Sequence, residues 1–315
     1  MTTAVFATAY GGPEVLATED VEVPAPGPGQ VTIEVRAAAV NPIDLKAYSG
    51  MFGTDESRLP IRLGAEVSGV VTAVGTDAQG PAGPLAVGDE VIGYPVDGGY
   101  TAALTVPARS VHPKPATLSF EEAAGLLLVG GAAYHLLEAT GVSTGDTVLI
   151  HGVSGGVGLT AAQLAVRRGA TVLGTASAAH HDRLRDFGVK PLVYGAGLAD
   201  RVRDAAPDGV DVALDAVGTD EAVDVSLELV PDRSRIATVA AFGRAGEAGI
   251  QLLGNGPGAE PGTAIRDRGR DVLTELADQG RLQVVVARTF PLTEAADAHR
   301  FLRDGHPGGK VVLLP

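Results

Sequence analysis

The stretch HGVSGGVGLT, residues 151 to 160, follows the apolar run TVLI (147 to 150) and leads into AAQLAVRRGA, which reads as a helix. Glycines between a strand and a helix serve either a tight connection or a phosphate that lies against bare backbone, where helix N–H groups and the helix dipole favour an anion. In the second case Gly155 and Gly156 shape the turn, and Gly158 lets the helix pack close to its strand. The N–H groups around Ser154 to Val157 would then meet a pyrophosphate. The spacing is not a regular GxGxxG, and the chain has 43 glycines, so the pattern alone is weak. The strand–turn–helix setting is what favours a dinucleotide over a plain turn.

A second stretch bears on which dinucleotide. In NAD sites an acidic residue about 20 residues beyond the glycines hydrogen-bonds the adenosine ribose. Here the second strand ends in GTASAAHHDR (174 to 183), and its first acid, Asp182, falls inside the next helix. Ser177, His180 and His181 occupy the loop instead. No carboxylate repels a 2′-phosphate there, and Ser and His can donate to one, so the sequence predicts NADPH rather than NADH. Taken singly, each histidine also fits a solvated helix start.

The chain that must position these groups has 315 residues, enough for two domains. Its 45% hydrophobic and 20% charged residues argue against wholesale disorder. Aromatics are only 4%, so Val, Leu and Ala must build the core. A formal net charge of −14 opposes nucleic acid and anionic membrane surfaces. The absence of cysteine excludes disulfides, a thiol nucleophile and thiolate-built zinc sites. No export-signal pattern opens the sequence. The longest apolar run, AAGLLLVGGAAYHLL (123 to 137), is shorter than a bilayer span. A cytoplasmic location is expected, with that run as a buried packing segment.

The first 120 residues read as short strands, at 31 to 40, 66 to 75, 89 to 95 and 98 to 107, punctuated by PGPGQ and QGPAGP. The rhythm changes at LSFEEAAGL (118 to 126), where Ser119 and Glu122 have capping-box spacing. From there strand-length apolar runs alternate with amphipathic helix-length stretches, the mark of βαβ units and a parallel sheet. The Gly-rich segment 245 to 263 reads as a mobile loop, aperiodic apart from IQLL. The closing strand either extends the parallel sheet or returns to the first domain; periodicity does not choose.

Taken in order, several stretches carry a resemblance. They are AVNPIDLKAYSG (39 to 50), LGAEVSGVV (63 to 71), the run from GGYTAALTVP to GGAAY (98 to 134), HGVSGGVG, LDAVG (214 to 218) and FPLTEAADAHRFLRDGHPGGKVVLLP. Over nearly the whole chain they resemble the zinc-independent quinone oxidoreductases of the medium-chain dehydrogenase/reductase superfamily. The resemblance implies an α/β fold: a GroES-like, mostly β catalytic domain plus a Rossmann nucleotide-binding domain with a parallel sheet. The expected bounds are 1 to 122 and 266 to 315 for the catalytic domain, with the NADPH-binding domain at 123 to 265. It also implies NADPH, a homodimer, and hydride transfer to a quinone or α,β-unsaturated carbonyl. Two alternatives stand beside it: an enoyl-thioester reductase, and an NADPH-binding protein with little turnover.

Residue by residue, the resemblance places Asn41 and Asp44 in an AxNPxDxxxxxG motif. Asn41 would reach the nicotinamide ribose or the substrate oxygen; its alternative is an Asx turn before Pro42. For Asp44 the plain alternative is a brace that holds the loop through backbone hydrogen bonds. Lys46 and Tyr48 stand where members often have Tyr and Arg, and with Met51 and Phe52 they would line the substrate side. Lys46, Tyr48 or water would supply the proton for an enone, although Lys and Tyr are also ordinary surface residues. Tyr194 matches a tyrosine often beside the 2′-phosphate, and His181 stands where Lys is frequent. Protonation would strengthen its pull on the phosphate as pH falls. Phe242 and Gly243, after the fifth Rossmann strand, would border the nicotinamide. Zinc-dependent relatives have a ligand Cys at the position of Asn41 and a ligand His at that of Ala65, so no metal is expected. The apolar IQLLG (250 to 254) is the expected dimer edge.

Overall fold

The β-branched run at 30–40 becomes the longest strand of the protein, Gln30–Val40, seen in a computed structural model that describes residues 1–305 and 307–315. His306, within the closing stretch quoted above, lies outside the described residues. Two partners share one edge of Gln30–Val40: its first half pairs with Ala103–Pro107 and its last residues with the closing strand Lys310–Leu314. Its other edge carries Val67–Val74. Val111–Pro113, Glu90–Gly93 and Val286–Pro291 complete a sheet of seven strands among the described residues. Val31, Ile33 and Val35 are buried on one face of the spine, as period-2 alternation requires.

Pairing therefore decides the placement of the tail. Val311, Val312 and Leu313 lie opposite Val40, Ala39 and Ala38, so the closing strand belongs to the N-terminal β unit. The chain divides into two compact units, 1–128 with 274–315, and 129–273. These bounds differ from 122/123 and 265/266 because each crossing falls inside a helix, Leu127–Ala139 or Thr263–Asp278, with no loop to mark it. Among the described residues no helix is long and apolar enough to cross a membrane.

In the second unit all six sheet strands are parallel. From edge to edge they are Val189–Leu192, Thr171–Thr175, Thr147–His151, Val212–Asp215, Ile236–Thr238 and Gln251–Leu252. Numbered along the chain this order is 3-2-1-4-5-6, the Rossmann arrangement. Leu149, Leu173, Ala213 and Ile236 form its core with Leu198 and Val202 of the Leu198–Ala205 helix. At the opposite end of the sheet from the loops described below, Arg235 pairs with Asp146 at 2.7 Å.

The 245–263 segment, read from sequence as a mobile loop with an edge at 250 to 254, has more regular structure than a loop. It contains a helical turn, Ala245–Ala248, the edge strand Gln251–Leu252, and a bridge from Leu253 to Glu260. Buried Ile250 and Leu253 anchor it, a contribution that short, non-periodic apolar pairs do not announce.

Candidate active site

The Rossmann unit gathers its loops at the carboxyl ends of its strands, where α/β sheets bind ligands. The Thr147–His151 strand passes through Gly152–Gly155 into the helix Gly156–Arg167, whose first turn holds no acidic residue. The fold itself demands two of these glycines. Gly152 has φ +76°, and a Cβ there would lie 2.3 Å from Val217 Cγ2. A Cβ on Gly158 would lie 2.3 Å from the Gly152 carbonyl oxygen, the close helix–strand approach expected of that position. Gly155 differs: its φ is −79°, and a Cβ would meet only the Gly152 oxygen at 3.5 Å, an ordinary contact. Internal packing does not require a glycine at 155. Ser154, Gly155, Gly156 and Val157 are all half-buried, and the first-turn amides of a helix have no intrahelical acceptor.

Two buried groups stiffen this rim, and the sequence assigned a role to neither. Asp215 Oδ1 accepts from Val217 N and Gly218 N, both at 2.9 Å, and its Oδ2 accepts from Thr238 Oγ1 at 2.7 Å. It thereby ties the ends of two adjacent strands. His151 Nε2 lies 3.2 Å from Ser226 Oγ, and burial takes its pKa down to about 4, so the ring is neutral. The signal for Asp215 was its position between an apolar strand and a glycine.

Neighbouring strands bring the other expected nucleotide residues to one end of the sheet. Thr175 lies opposite Leu192, and Ala176 N donates to Leu192 O at 3.0 Å, so the loops after these strands are adjacent. One carries Ser177 and His181, the other Tyr194. Ser177 stands at the N-cap position of the short turn Ala178–His180 without a side-chain cap hydrogen bond, and Tyr194 is 46% exposed. His181 Nε2 lies 3.3 Å from Ala176 O, so that nitrogen is turned onto its own loop. Asp182 is fully exposed and paired with Arg185 at 2.5 Å, which takes its carboxylate out to solvent. Phe242, half-buried, and Gly243, exposed, follow the Ile236–Thr238 strand, and the Phe242 ring covers Gly256.

In the β unit, the motif residues sit in a buried polar network. Asn41 precedes the helix Pro42–Tyr48; Asp44 N donates to Asn41 O at 3.0 Å, and Asn41 N donates back to Asp44 Oδ2 at 2.8 Å. Gly64 N reaches Asp44 Oδ1 at 3.3 Å, so Asp44 does brace the loop through backbone groups. Lys310 Nζ donates to Asn41 Oδ1 at 2.5 Å, and Asn41 Nδ2 donates to Ala39 O at 3.3 Å. Glu66 Oε1 accepts from Leu127 N at 2.5 Å and Leu128 N at 3.1 Å. Burial pushes Asp44 up to about 6, against the hydrogen bonds it accepts. It also raises Glu66 and lowers Lys310, while each opposes the shift of the other through its charge.

Tyr48 corrects an expectation. It neither lines an open face nor sits on the surface: it is 1% exposed, and its hydroxyl lies 2.8 Å from His299 Nδ1. Four residues after Asp44, it shares the inward face of a short helix, while Lys46 is half-buried on another. His299 Nε2 lies 3.0 Å from the Tyr100 hydroxyl, which donates to Asp44 Oδ2 at 3.1 Å. One proton assignment satisfies all three contacts: Tyr48 donates to Nδ1, neutral His299 donates from Nε2 to Tyr100, and Tyr100 donates to Asp44. Burial holds His299 down at about 4 and raises Tyr48 to about 12. Glu66, Tyr100, His299 and Lys310 went unremarked in the sequence; a lone Lys at the head of the apolar KVVLL strand was the available signal.

A metal finds a poor donor set here. The amide oxygen of Asn41 already holds an ammonium, and Ala65 has no donor atom. Among the described residues, no group of three or more His, Asp or Glu is placed to hold an ion.

Residues 27–116 match the family described as alcohol dehydrogenase GroES-like domain, and residues 187–313 the family described as zinc-binding dehydrogenase. The chain is 35% identical, over 93% of its length, to the spectinabilin polyketide synthase system protein NorB of Streptomyces orinoci, but spans only 13% of that protein. It is 32% identical to a 2-haloacrylate reductase of a Burkholderia species, covering 97% of this chain and 96% of the relative. Among solved structures, a mycobacterial quinone oxidoreductase superposes with a TM-score of 0.79 at 32% identity, over 100% of both chains. A mycobacterial protein complexed with NADPH superposes with a TM-score of 0.84 at 31% identity, again over 100% of both chains. The chain belongs to the medium-chain dehydrogenase/reductase superfamily, among relatives that include quinone oxidoreductases.

Proposed function

We propose that this protein is an NADPH-dependent, zinc-independent reductase of quinones or α,β-unsaturated carbonyls. The observation that carries the cofactor assignment is the rim of the second Rossmann strand. Asp182 is turned to solvent, and the Ser177–His181 and Tyr194 loops lie side by side where a ribose carboxylate would otherwise stand. Ser154, Gly155, Gly156, Val157 and Gly158 would hold the pyrophosphate, Ser177, His181 and Tyr194 the 2′-phosphate, and Phe242 and Gly243 would border the nicotinamide. When bound, the reduced nicotinamide supplies a hydride. The NADPH complex of the mycobacterial neighbour supports this cofactor. The names 2-haloacrylate reductase and quinone oxidoreductase support an electron-poor acceptor.

On the substrate side, Asn41 is as buried as Tyr48; Lys310 and the Ala39 carbonyl set the orientation of its amide, and the remaining Nδ2 hydrogen is what it would offer an oxygen if the bound cofactor or substrate uncovers it. Partial burial makes the Lys46 ammonium more acidic than usual, which suits it to give a proton to the α-carbon of the enolate left when hydride adds to the β-carbon. Tyr48 donates to His299 with its phenol raised to about 12, which makes it the poorer donor of the pair. Water suffices for a quinone oxygen. Absence of zinc rests on the donor set at Asn41 and Ala65.

The test is to titrate NADPH and NADH by nicotinamide fluorescence, then to assay a quinone and an enone with metal-free protein. NADPH should bind tighter by roughly tenfold to several-hundredfold, the effect of one or two charge-assisted hydrogen bonds. Equal or tighter NADH binding overturns the cofactor assignment, and stoichiometric zinc lost together with activity overturns metal independence. The identity to a segment of a polyketide synthase protein favours a second reading, reduction of an enoyl thioester. Turnover of a crotonyl thioester with none of the quinone or enone would select it.

A further inference from the structure

The loop that carries Tyr194 is held from outside on both sides of that residue. It runs Val193, Tyr194, Gly195, Ala196, Gly197, and offers almost no bulky side chain for its own packing. Arg201, one turn into the Leu198–Ala205 helix, turns its guanidinium back onto it. Nε donates to Val193 O at 3.0 Å, Nη2 to Gly195 O at 2.7 Å and Nη1 to Ala196 O at 2.8 Å. From the Asp220–Leu229 helix, Glu221 Oε2 accepts from Gly195 N at 3.0 Å. Among the described residues no carboxylate forms an ion pair with Arg201. The guanidinium is thus spent on three carbonyls, and only a planar fork with several donors can reach all three from one side chain.

This arrangement has a consequence for Tyr194 itself. The peptide groups before and after it are both pinned, by Val193 O and by Gly195 N and O. Its backbone is therefore fixed before any ligand arrives, although its side chain is 46% exposed. An exposed side chain on a loose Gly–Ala–Gly loop would lose conformational freedom on binding; one on a pinned loop loses less, and the difference appears as affinity. Among the described residues no hydrogen bond joins Ser177 or His181, on the neighbouring loop, to Arg201.

We propose that Arg201 is a positioning residue that sets the preference for NADPH over NADH by fixing the loop of Tyr194. The assignment rests on the proposed placement of the 2′-phosphate beside Tyr194. Arg201 acts through geometry: its charge is engaged by carbonyls, and its contribution disappears when the tyrosine does.

The experiment compares wild type, R201K, Y194A and the double variant by fluorescence titration with NADPH and NADH, and by amide hydrogen exchange without cofactor. Lysine keeps the charge but loses the fork. R201K is expected to weaken NADPH about tenfold, the equivalent of one lost hydrogen bond, and to leave NADH within about twofold. In the Y194A background the same substitution should change NADPH binding by less than about twofold, the mark of two residues that act as one. Exchange at Gly195 to Gly197 should quicken in R201K while the sheet stays protected. Equal weakening of both cofactors marks Arg201 as merely structural and overturns the proposal, as does an additive double variant or unchanged loop exchange. Wild type without an NADPH preference is a separate failure, of the cofactor reading, and is seen before any variant is made.

Discussion

Lys310 Nζ donates to Asn41 Oδ1 at 2.5 Å across 269 positions of sequence, and both residues are buried. The closing strand is thereby joined to the start of the Pro42–Tyr48 helix by a charged contact as well as by the ladder with Gln30–Val40. Burying an ammonium is costly unless its charge is met; the charges of Glu66 and Asp44 oppose that cost, and Asn41 accepts one of its three N–H donors.

Lys310→Met should therefore destabilise the fold by about 3–5 kcal/mol, because Glu66 loses the cation that offsets its burial. Glu66→Gln added to that variant should recover part of the loss. Urea unfolding of the two variants checks both statements. A Lys310→Met protein within about 0.5 kcal/mol of wild type, the range of ordinary surface substitutions, would refute the account.

The Tyr48–His299–Tyr100 chain makes a prediction about pH. The His299 pKa is lowered from 6.5 to about 4, so the native state binds fewer protons than the unfolded one between these values. Its contribution is present in full above pH 6.5 and is lost as pH falls through 4. Relative to His299→Gln, wild type should lose about 3 kcal/mol over that window. Asp44, raised from 3.8 to about 6, has the opposite sign: its contribution is present below 3.8 and is lost as pH rises through 6. Comparison with the variant removes that background. Ring nitrogen NMR should show neutral His299 protonated on Nε2 at pH 5.5; an imidazolium there would disprove the assignment.

The glycine turn separates packing from ligand binding. Gly158→Ala places a Cβ 2.3 Å from a carbonyl oxygen and should destabilise the fold by about 1–3 kcal/mol. Gly155→Ala meets no tight contact, and removes backbone freedom only from the unfolded chain. Gly155 is also the N-cap of the Gly156–Arg167 helix, where alanine is the weaker cap, so the melting temperature should stay near wild type, while NADPH affinity drops about tenfold or more if a pyrophosphate lies against that backbone. Undiminished affinity would place the phosphate elsewhere.

Gln251–Leu252 is an edge strand of the parallel sheet, with one side paired to Ile236–Thr238. Glu260 takes the outer side of this edge, its N donating to Leu252 O at 2.8 Å and its O accepting from Gly254 N at 2.9 Å, so the homodimer proposed at 250 to 254 would extend the edge only at its Gln251 end or by displacing that bridge. Light scattering should give twice the 31.8 kDa chain mass at micromolar concentration. A stable monomer over that range would end the proposal.

Local patterns carried what the sequence determined by itself. The βα alternation, the Ser119–Glu122 capping box and the strand–turn–helix at Gly155 each depend on neighbours within a few residues, which periodicity and spacing report directly. The missing acid after the second strand was equally local. The return of the tail to the first domain was implied by the family resemblance, though not by periodicity; the pairing of Lys310–Leu314 with Gln30–Val40, the 3-2-1-4-5-6 strand order and the burial of Tyr48 against His299 were decided only by the tertiary structure. So were the steric need for Gly152 and the clamp of Arg201 on the Tyr194 loop. The physical reason is common to them all. Strand pairing, close backbone approach and the matching of buried polar groups join residues far apart in the chain, and a one-dimensional pattern contains the groups but not their partners.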